Sequence, residues 1–77
     1  MIFISKRFGK VMANHKMIWT RQAPDGRGQV VLIGRNNGVG SGIVLGEYVS
    51  ERRAKEVVKL IRSAYQNGVE TFNMPLL

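Results

Sequence analysis

The sequence contains no cysteine, one histidine and only five acidic residues. Without cysteine no disulfide can stabilise the fold, and one histidine with scattered carboxylates offers no ligand set for a structural metal. The 77 residues are expected to form a single domain, residues 1–77, and domains this small are marginally stable without such supports. Self-association is the remaining support, so the sequence predicts a homo-oligomer.

The chain also lacks long apolar runs. None approaches the roughly 20 residues that span a bilayer. The start, MIFISKRFGK, carries its charges after the apolar residues and has no small-residue cleavage site, so it does not resemble a secretory signal. These features predict a soluble cytoplasmic protein with no membrane association, and the absence of cysteine is compatible with a reducing compartment.

No catalytic pattern is present. His15 stands apart from any candidate nucleophile, and Asp25 is the only aspartate. A general base needs both a nucleophile and an orienting group within hydrogen-bond reach. The sequence therefore predicts a non-enzyme without catalytic residues, metal or cofactor.

Basic residues, by contrast, are abundant. Twelve lysines and arginines against the five acids give a net charge of +7. Such a field favours an anionic partner, which could be a nucleotide, a nucleic acid or an acidic protein surface. The alternative is that the charge serves solubility alone.

The pattern of apolar residues predicts an α+β fold. Runs rich in Ile, Val and Phe predict strands, and Ser50 and the pair Asn67–Gly68 are typical of the caps of a helix. The predicted strands are residues 1–5, 11–21 (bent near 14 and 15), 29–35 and 42–48. We expect an antiparallel sheet of about four strands, one amphipathic helix packed on a face, and a possible short C-terminal strand ended by Pro75.

The helix following Ser50 has two distinct faces. One is apolar and predicts packing on the sheet: Ala54, Val57, Val58, Ile61, Ala64, Tyr65. The other is basic and falls within an arc of about 80°: Arg52, Lys55, Lys59, Arg62. We call these four residues the basic stripe. It predicts an anion or nucleic-acid site, and the alternative is a solvated helix face.

Basic residues in two further segments are candidates for the same role. Lys6 and Arg7 flank the start of a turn with Phe8, whose ring could stack on a base or, as we favour, pack into the core. Arg35 adjoins the glycine-rich stretch GRNNGVGSG, which lies between two predicted strands and lacks the Lys-Ser or Lys-Thr of a phosphate loop. Its Asn37–Gly38 pair predicts a hairpin turn.

The remaining aromatic residues are expected to pack. Phe3 and Trp19 occur in strand patterns, so we expect them in the core or at a subunit interface. Tyr48 immediately precedes the helix and is expected to pack against it. His15 is expected at the surface or in a loop.

Several motifs resemble a pattern in short uncharacterised proteins of phages and prophages of low-GC Gram-positive bacteria. The shared features are the opening MIFIS strand, a G-x-Y-x-S-x-x-R-A-x-x-V helix start and an F-x-M-P ending. The matching residues are residues 1–5, Gly46, Tyr48, Ser50, Arg53, Ala54, Val57 and residues 72–75. The resemblance implies a small phage-type protein. Such proteins often bind host factors and inhibit or sequester them, and these factors include nucleotide signals of antiviral defence.

The first ten residues are also similar to the start of the carbon storage regulators, small dimeric β proteins that bind RNA. That match stops after Lys10, and the helix following Ser50 does not fit the family. Three functions therefore stay open: capture of an anionic ligand or acidic host protein, nucleic-acid binding through the basic stripe, and a structural oligomer subunit.

Overall fold

A computed structural model describes residues 1–33 and 42–77. Strands, one 3₁₀ turn and one α-helix follow one another along this part of the chain, which confirms the α+β class. In order, the elements are β1 (Ile2–Ser5), β2 (Gly9–Met12), the 3₁₀ turn (His15–Met17), β3 (Ile18–Gln22), β4 (Gly28–Ile33), β5 (Gly42–Tyr48), α1 (Glu51–Gln66) and β6 (Thr71–Asn73).

The strands form two three-stranded sheets, whereas the sequence predicted one antiparallel sheet of about four strands. The first sheet has the order β2-β1-β6 and the second has the order β3-β4-β5. Strand β1 pairs antiparallel with β2 and parallel with β6, so both of its hydrogen-bonding edges are occupied. It therefore cannot extend the second sheet. The expected short C-terminal strand is confirmed as β6.

The predicted strand at residues 11–21 is divided between the two sheets. The side-chain oxygen of Asn14 accepts a hydrogen bond from the backbone N–H of Lys16 at 2.9 Å and caps the 3₁₀ turn. This local bond competes with strand pairing, as asparagine side chains commonly do. The chain consequently leaves the first sheet after β2 and enters the second as β3.

Helix α1 begins and ends where its caps predict. The Ser50 hydroxyl accepts a hydrogen bond from the backbone N–H of Arg53 at 3.2 Å, and Gly68 follows the helix with φ +75°. The helix packs across the second sheet and buries the expected apolar face: Ala54, Val57, Val58, Ile61. Phe3 from the first sheet is fully buried in the same core.

Ser5 joins the two sheets. Its hydroxyl donates to the backbone carbonyl of Leu45 in β5 at 3.0 Å and accepts from the backbone N–H of Arg7 at 3.2 Å. The residue is buried, so both bonds compensate for the loss of water. One polar side chain thus fixes the end of β1 against β5 and shapes the turn that leads to β2.

The glycine-rich stretch connects two antiparallel neighbours, because β4 and β5 pair with Ile33 opposite Gly42. The element that follows the stretch is a strand, as expected, and a phosphate loop would require a helix there. Arg35 and the Asn37–Gly38 turn lie outside the described residues. Across the described ranges, no helix has the length and apolar character needed to cross a membrane.

Candidate anion-binding site

A cleft runs between the helix α1 and the edge strand β3. One half has a volume of about 280 Å³ and lies between residues 18–20 and one side of the helix. The other half, of about 360 Å³, continues towards the 3₁₀ turn and the end of the helix. The two halves share Ile18, Trp19 and Arg62 and therefore adjoin each other, and we call them together the α1–β3 cleft.

Cations line both halves of this cleft. Lys55 and Lys59 belong to the first half, and Lys16 belongs to the second. Arg62 borders both. Because these residues lie on successive turns of α1 and in the 3₁₀ turn before β3, the cleft presents a row of positive charge, and no acidic residue of the described ranges lines it.

Ion pairs leave most of this charge available. Among the described residues, Lys16, Lys59 and Arg62 have no carboxylate within 4.0 Å of their charged nitrogens. Lys55 lies 3.8 Å from the Glu51 carboxylate, but both side chains are substantially exposed, and such pairs are weak. The acids that make closer pairs lie elsewhere, with Arg27 and Arg53.

Trp19 is the large aromatic residue of the cleft, and 58 % of its surface is exposed. The prediction that it would lie in the core was wrong, and its role in an interface stays a prediction. The alternation in β3 separates Trp19 from the buried Ile18, and among the described residues no neighbouring strand covers it on the free side, because β3 is an edge strand of the second sheet. The alternation of residues in a β-strand indicates which side chains share a face of the sheet. It does not indicate whether another element packs on that face.

Tyr65 closes the far end of the cleft together with His15. Their rings are stacked, with centroids 3.6 Å apart and an interplanar angle of 23°. Tyr65 is half exposed and does not pack in the core as predicted, because it lies beyond the last buried turn of α1 and rests on the 3₁₀ turn. Sequence spacing alone gave no signal for this contact, which joins residues from distant segments.

The structure brings only part of the predicted site together. Lys55, Lys59 and Arg62 of the basic stripe line the cleft, whereas Arg52 is exposed outside it. Lys6 and Arg7 line a different cleft beside β5, at the other edge of the second sheet. Arg35 is outside the described residues. The sequence analysis did not include Lys16 and Trp19 in the site. Strand alternation with the apolar Ile18 could have indicated that Trp19 lies on the exposed side of β3.

The cleft at Lys6 and Arg7 is less suited to an anion. Its volume is about 470 Å³, and most of the side chains that line it are apolar: Val44, Leu45, Met74, Pro75, Leu76. The Glu47 carboxylate also borders it.

Phe8, next to Arg7 in the chain, is half exposed, so the prediction that it packs in the core was wrong. The Arg7 guanidinium carbon instead lies 5.8 Å from the centre of the Phe8 ring.

The described part of the chain shows no arrangement of side chains for metal binding or histidine-based catalysis. It holds no group of three or more His, Cys, Asp or Glu side chains arranged to bind a metal. His15, the one histidine, lies in the 3₁₀ turn and contacts Tyr65.

Burial raises the pKa of the Tyr48 phenol, an effect that Arg53 partly offsets, and this hydroxyl donates to the carbonyl of Pro75 at 3.0 Å. Tyr48 packs in the core, as predicted.

Comparison with known proteins identifies no relative: no protein-family model, curated protein or solved structure matches the chain.

Proposed function

We propose that this chain is a non-enzymatic binding protein that captures an anionic ligand in the α1–β3 cleft. The observation that carries the proposal is the row formed by Lys16, Lys59 and Arg62, which have no carboxylate within 4.0 Å in the described structure. Cations in a groove reinforce one another's field and raise the local concentration of an anion.

Binding is favoured over catalysis because the cleft offers cations and aromatic rings but no acid–base pair. Catalysis of acyl or phosphoryl transfer would require a nucleophile within reach of an oriented base. The histidine of the lining, His15, is instead stacked on Tyr65, and the described lining holds no carboxylate to orient it. Stoichiometric capture needs only the charge and the shape. Such a role fits the resemblance to phage-type proteins that inhibit or sequester host factors, and it would be exercised in the cytoplasm of the host cell.

The test compares two double variants with equal charge. Lys59→Glu/Arg62→Glu reverses two cleft cations, and Arg7→Glu/Arg52→Glu reverses two basic residues outside the cleft. Each reversal changes the charge by −2, so each double variant has a net charge of +3 instead of +7. Affinity for inorganic polyphosphate is measured by calorimetry at fixed ionic strength, and folding is checked by thermal melting.

The cleft variant is expected to lose about 10-fold or more in affinity, because two attractive contacts become repulsive at short range. The control variant is expected to lose much less, since its charges act on the cleft through solvent. Both should melt near the wild-type temperature, because exposed charges contribute little to stability. Equal losses in the two variants would mean that the net charge, and not the cleft, attracts the anion.

A further inference from the structure

We infer that the ligand of the α1–β3 cleft is single-stranded nucleic acid, bound by stacking of bases on Trp19 and by contacts between phosphates and the cleft cations. This inference rests on the proposed function, since it assigns a ligand class to the same cleft. Charge alone would suit any polyanion. The aromatic residues in the cleft distinguish one class from the others.

The first aromatic observation is the position of Trp19. Its side chain is 58 % exposed, and it lines both halves of the cleft with Arg62. An exposed tryptophan among cations has the two parts that single-strand binding uses, a π-face for the base and positive charge for the backbone. An inorganic or sugar polyanion has no planar ring to place on the indole.

The second observation is the stacked pair of Tyr65 and His15. It borders the same half of the cleft as Trp19 and leaves Tyr65 half exposed. Arg62 lines the cleft with both aromatic groups. Two aromatic surfaces along one groove can receive more than one base of the same strand, with the cations beside them.

The dimensions of the cleft suit a short segment of a strand. Lys55 and Arg62 are seven residues apart on α1, which corresponds to about 10 Å along the helix axis. Residues 18–20 of the edge strand β3 form the opposite wall. Backbone groups on the free side of an edge strand can form hydrogen bonds with a ligand without sequence preference.

A duplex fits these observations less well. Its bases are already stacked on one another, so Trp19 would gain nothing unless the helix were opened. Reading the major groove requires a helix that projects from the surface, whereas α1 lies along the second sheet with its cations beside a concavity. The preference for single strands is therefore the specific claim.

Trp19 is the only tryptophan in the chain, which makes its fluorescence a direct readout of the cleft. The probes are an oligothymidylate of about ten nucleotides, the corresponding duplex, and inorganic polyphosphate of similar charge. The oligothymidylate should quench the emission strongly and bind at least several-fold more tightly than the duplex. Polyphosphate should bind with little quenching, because it has no base to stack.

Two matched variants separate stacking from charge. Trp19→Leu removes the aromatic surface but keeps an apolar side chain opposite Val31, its partner across the strands. Phe8→Leu makes the same change at a half-exposed aromatic residue outside the cleft. Measured by anisotropy of a labelled oligothymidylate, Trp19→Leu should weaken binding by about 10-fold, as expected for loss of one stacked base, and Phe8→Leu should not.

Failure of this inference can be told apart from failure of the proposed function. If polyphosphate binds as tightly as the oligothymidylate and Trp19→Leu has no effect on either, the cleft binds anions but does not select nucleic acid. Preferential binding of the duplex would also overturn the inference. If neither probe binds, the proposed function itself fails.

Discussion

Gly28 in β4 lies directly against the backbone carbonyl of Ser50, the residue that caps α1. A Cβ atom at position 28 would overlap the Ser50 carbonyl and come within 2.6 Å of the Cα of Glu51. Both neighbours are backbone, so neither can rotate away. This contact sets how closely the start of the helix approaches the middle strand of the second sheet.

Gly28→Ala is therefore expected to destabilise the fold by about 2 kcal/mol or more, because the helix start must shift to admit a methyl group. Gly26→Ala is the comparison. Gly26 has open space around it but φ +90°, so its cost is conformational and about 1 kcal/mol. Urea denaturation of both variants provides the test. A smaller loss for Gly28→Ala than for Gly26→Ala would argue against the close contact.

Tyr48 gives the fold a dependence on alkaline pH. Burial raises the pKa of its phenol above the ordinary value of 10.0, with a smaller opposing effect of Arg53. The folded chain therefore keeps a proton that the unfolded chain releases, so this contribution is present below pH 10 and is lost as the pH rises through the folded pKa. The slope approaches about 1.4 kcal/mol per pH unit between the two pKa values.

Tyr48→Phe isolates this effect. At neutral pH the variant should be less stable by about 1 kcal/mol, because the hydrogen bond to the Pro75 carbonyl is lost. Above pH 10 the difference in the free energy of unfolding should shrink, since phenylalanine does not titrate. Other titrating groups are common to both proteins and cancel in the difference. A gap that stays constant with pH would contradict the raised pKa.

The helix was predictable from the sequence because its signals are local. Ser50, the apolar spacing of α1 and Gly68 all lie within one element, and each specifies a start, a buried face or an end. Strand pairing depends on residues far apart, and no local pattern indicates that β1 pairs in parallel with β6. That single long-range pairing changes one expected sheet into two.

Only the helix wall of the candidate site was predictable from the sequence. The basic stripe follows from helical spacing, and three of its four cations line the cleft. Its other wall comes from β3 and the 3₁₀ turn, so Lys16 and Trp19 join the site only through tertiary packing. A charge pattern indicates which face of a helix is basic but not which element lies beside it.

Self-association stays a prediction, and the first sheet offers a surface for it. Ile2 and Ile4 lie on the face opposite the buried Phe3, and Met12 opposite Ile2 is 77 % exposed. We expect sedimentation at micromolar concentration to show a dimer or larger species. Met12→Glu should shift it towards monomer, and Val49→Glu, at a comparably exposed position, should not. A monomeric wild type would refute the prediction.

The Asn37–Gly38 pair lies outside the described residues but joins strands that pair antiparallel. If it forms the predicted hairpin turn, replacing it by Ala-Ala should cost about 1–2 kcal/mol, because alanine tolerates positive φ poorly. Denaturation and polyphosphate binding should both be measured. Unchanged stability with abolished binding would favour a phosphate-binding role for the glycine-rich stretch.

The central claim is that anions bind between α1 and β3. An NMR titration of the labelled protein with inorganic polyphosphate tests it most directly. We expect the largest shifts at the Trp19 indole, at residues 16–20 and along residues 55–62. Shifts concentrated instead at Lys6, Arg7 and residues 44–47 would place the site in the cleft beside β5 and contradict binding between α1 and β3.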